Sequence, residues 1–135
     1  MPKVIFACVH NAGRSQMAAA FYNLLTNSGD GISAGTQPGD RVHPVVVQVM
    51  NEIGIDLSCI KPQLLTPELA QSADMLVTMG CGEACPIVPG LIREDWPLPD
   101  PKGKELNEVR EIRDKIRMRV EQKIASFKEG PNSSR

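Results

Sequence analysis

The chain has 135 residues, 41% of them apolar, with 15 Lys and Arg against 16 Asp and Glu and a net charge of −1. That length suits one domain with its own hydrophobic core, and nearly cancelled charge supplies neither the broad basic field of a nucleic-acid binder nor an acidic tail. The longest apolar runs are far too short for a membrane span, and Cys8, His10 and Arg14 interrupt the only stretch that could open as an export signal.

The expectation is a cytoplasmic domain. Its four cysteines should then do redox or catalytic work rather than build a disulfide framework.

Lys3 to Val9 is an apolar run rich in β-formers and reads as a buried first strand. From Ser15 the pattern changes, with Met17, Ala20, Phe21, Leu24 and Leu25 recurring at helical spacing. Between strand and helix lie Asn11 and Gly13, which tolerate positive φ and let successive backbone N–H groups turn inward around an anion. Cys8, at the strand's end, then faces an amide-lined cup with a helix N-terminus beneath it and Arg14 at its rim.

After SGDGIS, Gly31 to Thr36 reads as a short second strand, and TQPGDRVHP as a surface connection at the same end of the sheet as the Cys8 loop. A second helix is predicted over Pro44 to Ile53, closed by Gly54 as a left-handed cap, with Val46, Val49, Met50 and Ile53 on its core face. IDLSCIKPQLL reads as a loop with a short turn. Thr66, Pro67 and Glu68 form an N-cap with proline at the first helical position, opening a short helix to about Ser72.

Ala73 to Thr78 is apolar enough for a central third strand. MGCGEACPIVPG holds too many glycines and prolines for regular structure, and Leu91 to Trp96 follows as a fourth strand. WPLPDPKG is a proline-heavy loop. From Lys104 to about Lys128 runs the longest helix, its apolar stripe formed by Leu106, Val109, Ile112, Ile116, Val120, Ile124 and Phe127. The charges of both signs on its other face make an ordinary solvated surface. One domain over residues 1–130 and a flexible tail over 131–135 complete the organisation. Strands alternating with helices predict an α/β fold, a parallel sheet with helices on both faces and a ligand site at the strands' carboxyl edge.

Cys8 and Arg14 stand in the order Cys-x5-Arg, followed by the hydroxyl of Ser15. A helix N-terminus, loop amides, a guanidinium and a hydroxyl all favour a thiolate, which is the nucleophilic form. The N–H groups of Val9, His10, Asn11, Ala12 and Gly13, with the Arg14 fork, would hold a tetrahedral oxyanion against that sulfur. A nucleotide-binding P-loop is excluded because no Gly-Lys-Ser/Thr ending is present.

CVHNAGRSQMA resembles the active-site loop shared by low-molecular-weight tyrosine phosphatases and the thioredoxin-coupled arsenate reductases of the same family. The resemblance continues through SAGT after the second strand, the GID segment, VTMGCGEACP after the third, and the pair Asp100-Pro101. It implies a three-layer fold, a four-stranded parallel sheet flanked by helices. It also implies that Asp100, whose backbone Pro101 holds extended, is the general acid that protonates the leaving oxygen.

Cys81 and Cys85 separate the two branches. A phosphatase needs only a nucleophile, an arginine and an acid, whereas a reductase must supply two electrons. In the reductases a second cysteine attacks the arsenic-bearing nucleophile and releases arsenite, and a third takes over the disulfide. By chain order Cys81 is the attacker and Cys85 the final partner. Spacing alone brings two cysteines four apart together if their loop makes one helical turn, and leaves open half of a metal site or two inert thiols. No second cysteine or histidine pair completes four metal ligands. A phosphotyrosine pocket needs aromatic walls, and the only aromatic residues are Phe6, Phe21, Phe127, Tyr22 and Trp96, with none in PKGKELNEV after Asp100.

The resemblance therefore implies reduction of arsenate (phosphate or sulfate as analogues) by a monomer with no bound cofactor. A thioredoxin-like external thiol reductant would restore it. The alternatives are a tyrosine phosphatase and a non-enzymatic thiol binder of arsenite or a soft metal. Three features depart from the family pattern. Ala12 and Gly13 stand where some reductases carry an additional cysteine, Ala19 stands where some carry a glutamate that supports potassium, and the cysteine pair is closely spaced. No potassium site is expected. Cys59 matches no motif and reads as a bystander, the His10 side chain as a loop support or solvent-facing group, and His43 as structural or capping.

Overall fold

The computed structural model describes residues 1–80 and 89–133. Strand β1 (Val4–Cys8) lies between β2 (Gly31–Gly35) and β3 (Met75–Thr78), and β4 (Ile92–Asp95) forms the edge beyond β3. All three pairings are parallel, with Cys8 opposite Gly35 and Val4 opposite Met75. Helices α1 (Arg14–Thr26), α2 (Pro44–Asn51), α3 (Pro67–Gln71) and α4 (Leu106–Ser133) connect and cover the sheet. The fold is the four-stranded parallel α/β sandwich that the alternation of elements predicts.

Every residue of β1 is buried, as its unbroken VIFAC run requires of a strand covered on both faces. Side chains alternate between faces along it. Val4, Phe6 and Cys8 join the larger core with Met17 and Phe21 of α1, Val46, Val49 and Met50 of α2, and the α4 stripe. Ile5 and Ala7 join a smaller one with Leu65, Leu76 and Ala70 of α3. Strand β4 is mostly exposed, and its IRED sequence puts charges where an open edge would otherwise invite pairing.

Phe6 packs at 5.8 Å from the rings of both Tyr22 and Trp96, so the larger aromatics serve the core. The Tyr22 hydroxyl donates to the Pro2 carbonyl at 2.6 Å. Burial, and then Asp30 and Asp74, push its pKa up to about 12, which keeps it a donor.

Two helix ends differ from the sequence reading. Helix α2 stops at Asn51, because Ile53 and Gly54 donate to Met50 and Asn51 in a tighter turn. Gly54 (φ +83°) makes the left-handed close, Ile55 donates back to Met50, and Ile53 is left 37% exposed rather than in the core. Helix α4 runs to Ser133 rather than Lys128, through Gly130 and Pro131. Pro131 has no N–H to donate to the Phe127 carbonyl, a loss confined to the helix's C-terminal end.

Candidate active site

The loop from Cys8 to Ser15 lies at the carboxyl edge of the central strand, where an open parallel sheet places its ligands. Its carbonyls are all engaged from outside. Cys8, Val9, His10 and Ala12 accept from the N–H groups of Thr36 (3.3 Å), Gln37 (2.7 Å), Gly39 (2.9 Å) and His43 (2.8 Å), and the Asn11 carbonyl accepts from Gln16 Nε2 (3.0 Å). The peptide bonds are trans, so each N–H points opposite to the carbonyl before it. The N–H groups of Val9, His10, Asn11, Ala12 and Gly13 therefore turn away from those partners, as the amide-lined cup expected for an oxyanion requires.

Two close approaches make the cup possible. Gly35 sits directly beneath it, and a Cβ there would lie 2.7 Å from the Val9 carbonyl oxygen and 2.8 Å from the Asn11 nitrogen. At Gly13 a Cβ would lie 2.8 Å from Pro101 Cγ. Asn11 adopts the left-handed conformation (φ 51°) that its residue type tolerates, whereas Gly13 (φ −146°) is required for space rather than for positive φ.

Cys8 is buried, and its Sγ lies 3.0 Å from Ser15 Oγ. Asn11 Nδ2 donates to the same Oγ at 2.7 Å, so the hydroxyl proton is free to be donated to the sulfur whenever Cys8 is a thiolate, which can only accept. Arg14 opens α1. Its Nη1 donates to the Leu98 carbonyl at 2.9 Å, and its Nη2 stands 3.9 Å from Asp100 Oδ2. The guanidinium is 11% exposed and the carboxylate 49%, so the acid faces the opening while the arginine forms the wall. Gly80 (φ +106°) presses on that wall, where a Cβ would lie 2.5 Å from Arg14 Nη1.

The small cleft above the cup is lined by Cys8, His10, Ala12, Gly13, Arg14, His43 and Asp100. None of these is Phe, Tyr or Trp. A larger hollow of about 390 Å³ between α3 and the start of β4 lies away from Cys8 and offers no nucleophile or cation among its lining residues.

The structure thus brings together Cys8, the five loop residues after it, Arg14, Ser15 and Asp100. Cys81 and Cys85 lie outside the described residues. The His10 ring is exposed, with Nδ1 3.0 Å from the Gln37 carbonyl, so it is both solvent-facing and a loop support. Cys59 is exposed and does not line the cleft.

The sequence reading missed His43 as a cleft residue. It occupies the N-cap position of α2, but its side chain makes no capping bond and lines the cleft instead. Burial holds its pKa below the ordinary value. Asp100 pulls it upward, while Lys102 and His10 push it down. The signal available was its place at the end of a connection expected on the Cys8 edge. Gln16, buried on α1 and reaching back to Asn11, was also passed over, because a glutamine at a helix start carries no motif.

Comparison with known proteins gives the family and the fold. Residues 3–132 match the family model described as low molecular weight phosphotyrosine protein phosphatase. A putative arsenate reductase of Halobacterium salinarum is 43% identical over 121 residues, 85% of this chain and 85% of that protein. A glutaredoxin arsenate reductase of Synechocystis is 36% identical over 130 residues, 94% of this chain and 99% of that protein. Among solved structures, a thioredoxin-dependent arsenate reductase of Corynebacterium glutamicum superimposes with a TM-score of 0.82 at 36% identity. The match covers 95% of this chain and 62% of that longer one.

Proposed function

Since the chain belongs to the low molecular weight phosphotyrosine protein phosphatase family, we propose that it uses this family's loop for arsenate reduction. The Cys8 thiolate attacks arsenate held by the N–H groups of Val9 to Gly13 and by Arg14. Asp100 gives a proton to the departing oxygen, which leaves as water, and a sulfur–arsenic bond remains. Cys81 then attacks Cys8 Sγ. The electron pair of the sulfur–arsenic bond stays on arsenic, and arsenite is released as a Cys8–Cys81 disulfide forms. Cys85 displaces Cys8 to give Cys81–Cys85, and an external dithiol reduces that disulfide.

The observation that supports this reading is the meeting of Cys8, Arg14 and Asp100 at one small cleft, with Cys8 Sγ 3.0 Å from Ser15 Oγ and Arg14 Nη2 3.9 Å from Asp100 Oδ2. The relay through Cys81 and Cys85 is taken from the family resemblance and rests on the variants below. Hydrolysis of phosphotyrosine finds less support, because Phe6, Phe21, Tyr22 and Trp96 are buried in the core and no Phe, Tyr or Trp is among the described residues that line the cleft. The named relatives point to thioredoxin or glutaredoxin as the dithiol, and the chain would work as a cytoplasmic monomer without a bound cofactor.

The test is arsenate turnover with a thioredoxin system and, separately, a glutaredoxin system. It uses wild type and single Ser variants of Cys8, Cys81 and Cys85. Wild type should turn over with at least one system and Cys8→Ser with neither. Cys85→Ser should release one equivalent of arsenite and stop with Cys8 and Cys81 joined. Continued turnover in Cys81→Ser and Cys85→Ser would overturn the relay. Hydrolysis of p-nitrophenyl phosphate by a wild type inert to arsenate would return the site to phosphatase chemistry.

A further inference from the structure

The Cys8–Ser15 contact depends on which way the Asn11 amide faces, and three hydrogen bonds fix that choice. Asn11 Oδ1 accepts from the backbone N–H of Gln63 at 2.9 Å, a group that can only donate, so Nδ2 is the atom that faces Ser15. Gln16 Nε2 donates to the same Oδ1 at 3.1 Å and to the Asn11 carbonyl at 3.0 Å. Because that carbonyl can only accept, the orientation of the Gln16 amide is fixed as well. Asn11 and Ser15 are fully buried and Gln16 is 3% exposed, so water is a poor substitute for any of these partners.

Gln16 grips Asn11 at two points with different consequences. Holding Oδ1 keeps Nδ2 on Ser15 Oγ, which leaves the hydroxyl proton for Cys8 Sγ. Holding the carbonyl keeps the peptide between Asn11 and Ala12 with its N–H turned into the cup. It also clamps a residue in the left-handed region, where a non-glycine backbone needs support.

We infer that Gln16 is a positioning residue that acts through Asn11 on both halves of the site, favouring the thiolate of Cys8 and aiming the Ala12 N–H at the oxyanion. Gln16 touches neither reacting atom. The inference takes from the proposed function only that Cys8 is the nucleophile and the loop the oxyanion cup, and its test does not require arsenate turnover.

The experiment reads alkylation of Cys8 by iodoacetamide, resolved by peptide mass spectrometry so that the other cysteines do not interfere, as a function of pH. Three single variants are compared with wild type, Gln16→Met, Gln16→Glu and Ser15→Ala, together with the double variant Ser15→Ala/Gln16→Met. Gln16→Met keeps the length and loses both donors. Gln16→Glu keeps the shape but turns an acceptor toward two oxygens. In either variant the Cys8 profile should move to higher pH, with a roughly threefold to tenfold slower reaction at pH 7. Inorganic phosphate should protect Cys8 less well by a similar factor. Once Ser15→Ala has removed the last link, adding Gln16→Met should shift the profile no further, although phosphate protection should still weaken.

A merely structural role would lower the melting temperature without moving the Cys8 profile, and that result overturns the inference. A shift of equal size with and without Ser15 would also overturn it. The two substitutions differ in shape and polarity, so a folding failure in one leaves the other to decide.

Discussion

The nucleophile and the acid meet at one cleft but are held in different ways. On the Cys8 side, five successive carbonyls are bonded from outside the loop, Asn11 is gripped by Gln16 and Gln63, and Gly35 brings the backbone of β2 into contact from below. On the Asp100 side, the segment from Leu98 to Lys104 has few anchors. Arg14 reaches the Leu98 carbonyl, Lys102 N–H caps Asp100 Oδ1 at 3.0 Å, Lys104 N–H reaches Pro101 at 3.2 Å, and the buried Pro101 ring lies against Gly13. The nucleophile's loop is preformed by the sheet. The acid is carried by a proline-stiffened strap that touches it at a few points. An oxyanion hole gains from donors fixed in advance, whereas a group that follows a leaving oxygen tolerates some freedom.

The largest effect should come from breaking the fixed side. Gly35→Ala would drive a Cβ to within 2.7 Å of the Val9 carbonyl oxygen and 2.8 Å of the Asn11 nitrogen, both backbone atoms with nowhere to move. The expected cost is about 3 kcal/mol of stability, read by denaturant unfolding, together with loss of rapid alkylation at Cys8. Near-native stability would mean that the loop is softer than its hydrogen bonds indicate.

A smaller effect should follow on the strap. Pro101→Ala removes both the ring against Gly13 and the restriction on the Asp100 backbone. Turnover should fall about tenfold through the protonation step, with stability changed by about 1 kcal/mol or less and the Cys8 alkylation profile unmoved. If Cys8 reactivity fell in parallel, the two sides would be one mechanical unit and the contrast would fail.

The same contrast explains what the sequence could reveal. The apolar run of β1, the change of period at Ser15 and the stripe of α4 are local patterns, and each appears where its periodicity places it. Cys8, Arg14 and the loop between them lie within a few residues of one another, so strand, turn and helix carried the site. Asp100 stands 86 residues after Arg14 in the chain (100 minus 14), and no local pattern aims it; only resemblance to a family supplied its role. His43 and Gln16 were missed for a related reason, since neither residue type signals where its side chain will turn. The end of α2 was misplaced because Ile53 fits the apolar period while the turn through Gly54 carries it outward.

His43 joins the two sides and gives the finest test of how they are coupled. Its backbone N–H holds the Ala12 carbonyl on the fixed side, and its ring feels the carboxylate of Asp100 on the strap. Burial depresses its pKa from the ordinary value of 6.5, so the neutral ring is favoured in the folded state. The sign follows by linkage. As pH falls through 6.5 the unfolded chain takes up this proton more readily than the folded one, so His43 makes stability decline on acidification and contributes no pH dependence well above that point. Asp100 works against the depression by attracting the imidazolium, so Asp100→Asn should lower the His43 midpoint further, as followed by the ring resonances in a pH titration. The shift should be small, because a half-exposed carboxylate acts through much water. A midpoint that does not move would place the strap away from His43 in solution, and Asp100 would then have to reach the leaving oxygen by a closure that substrate induces rather than from the position seen beside Arg14.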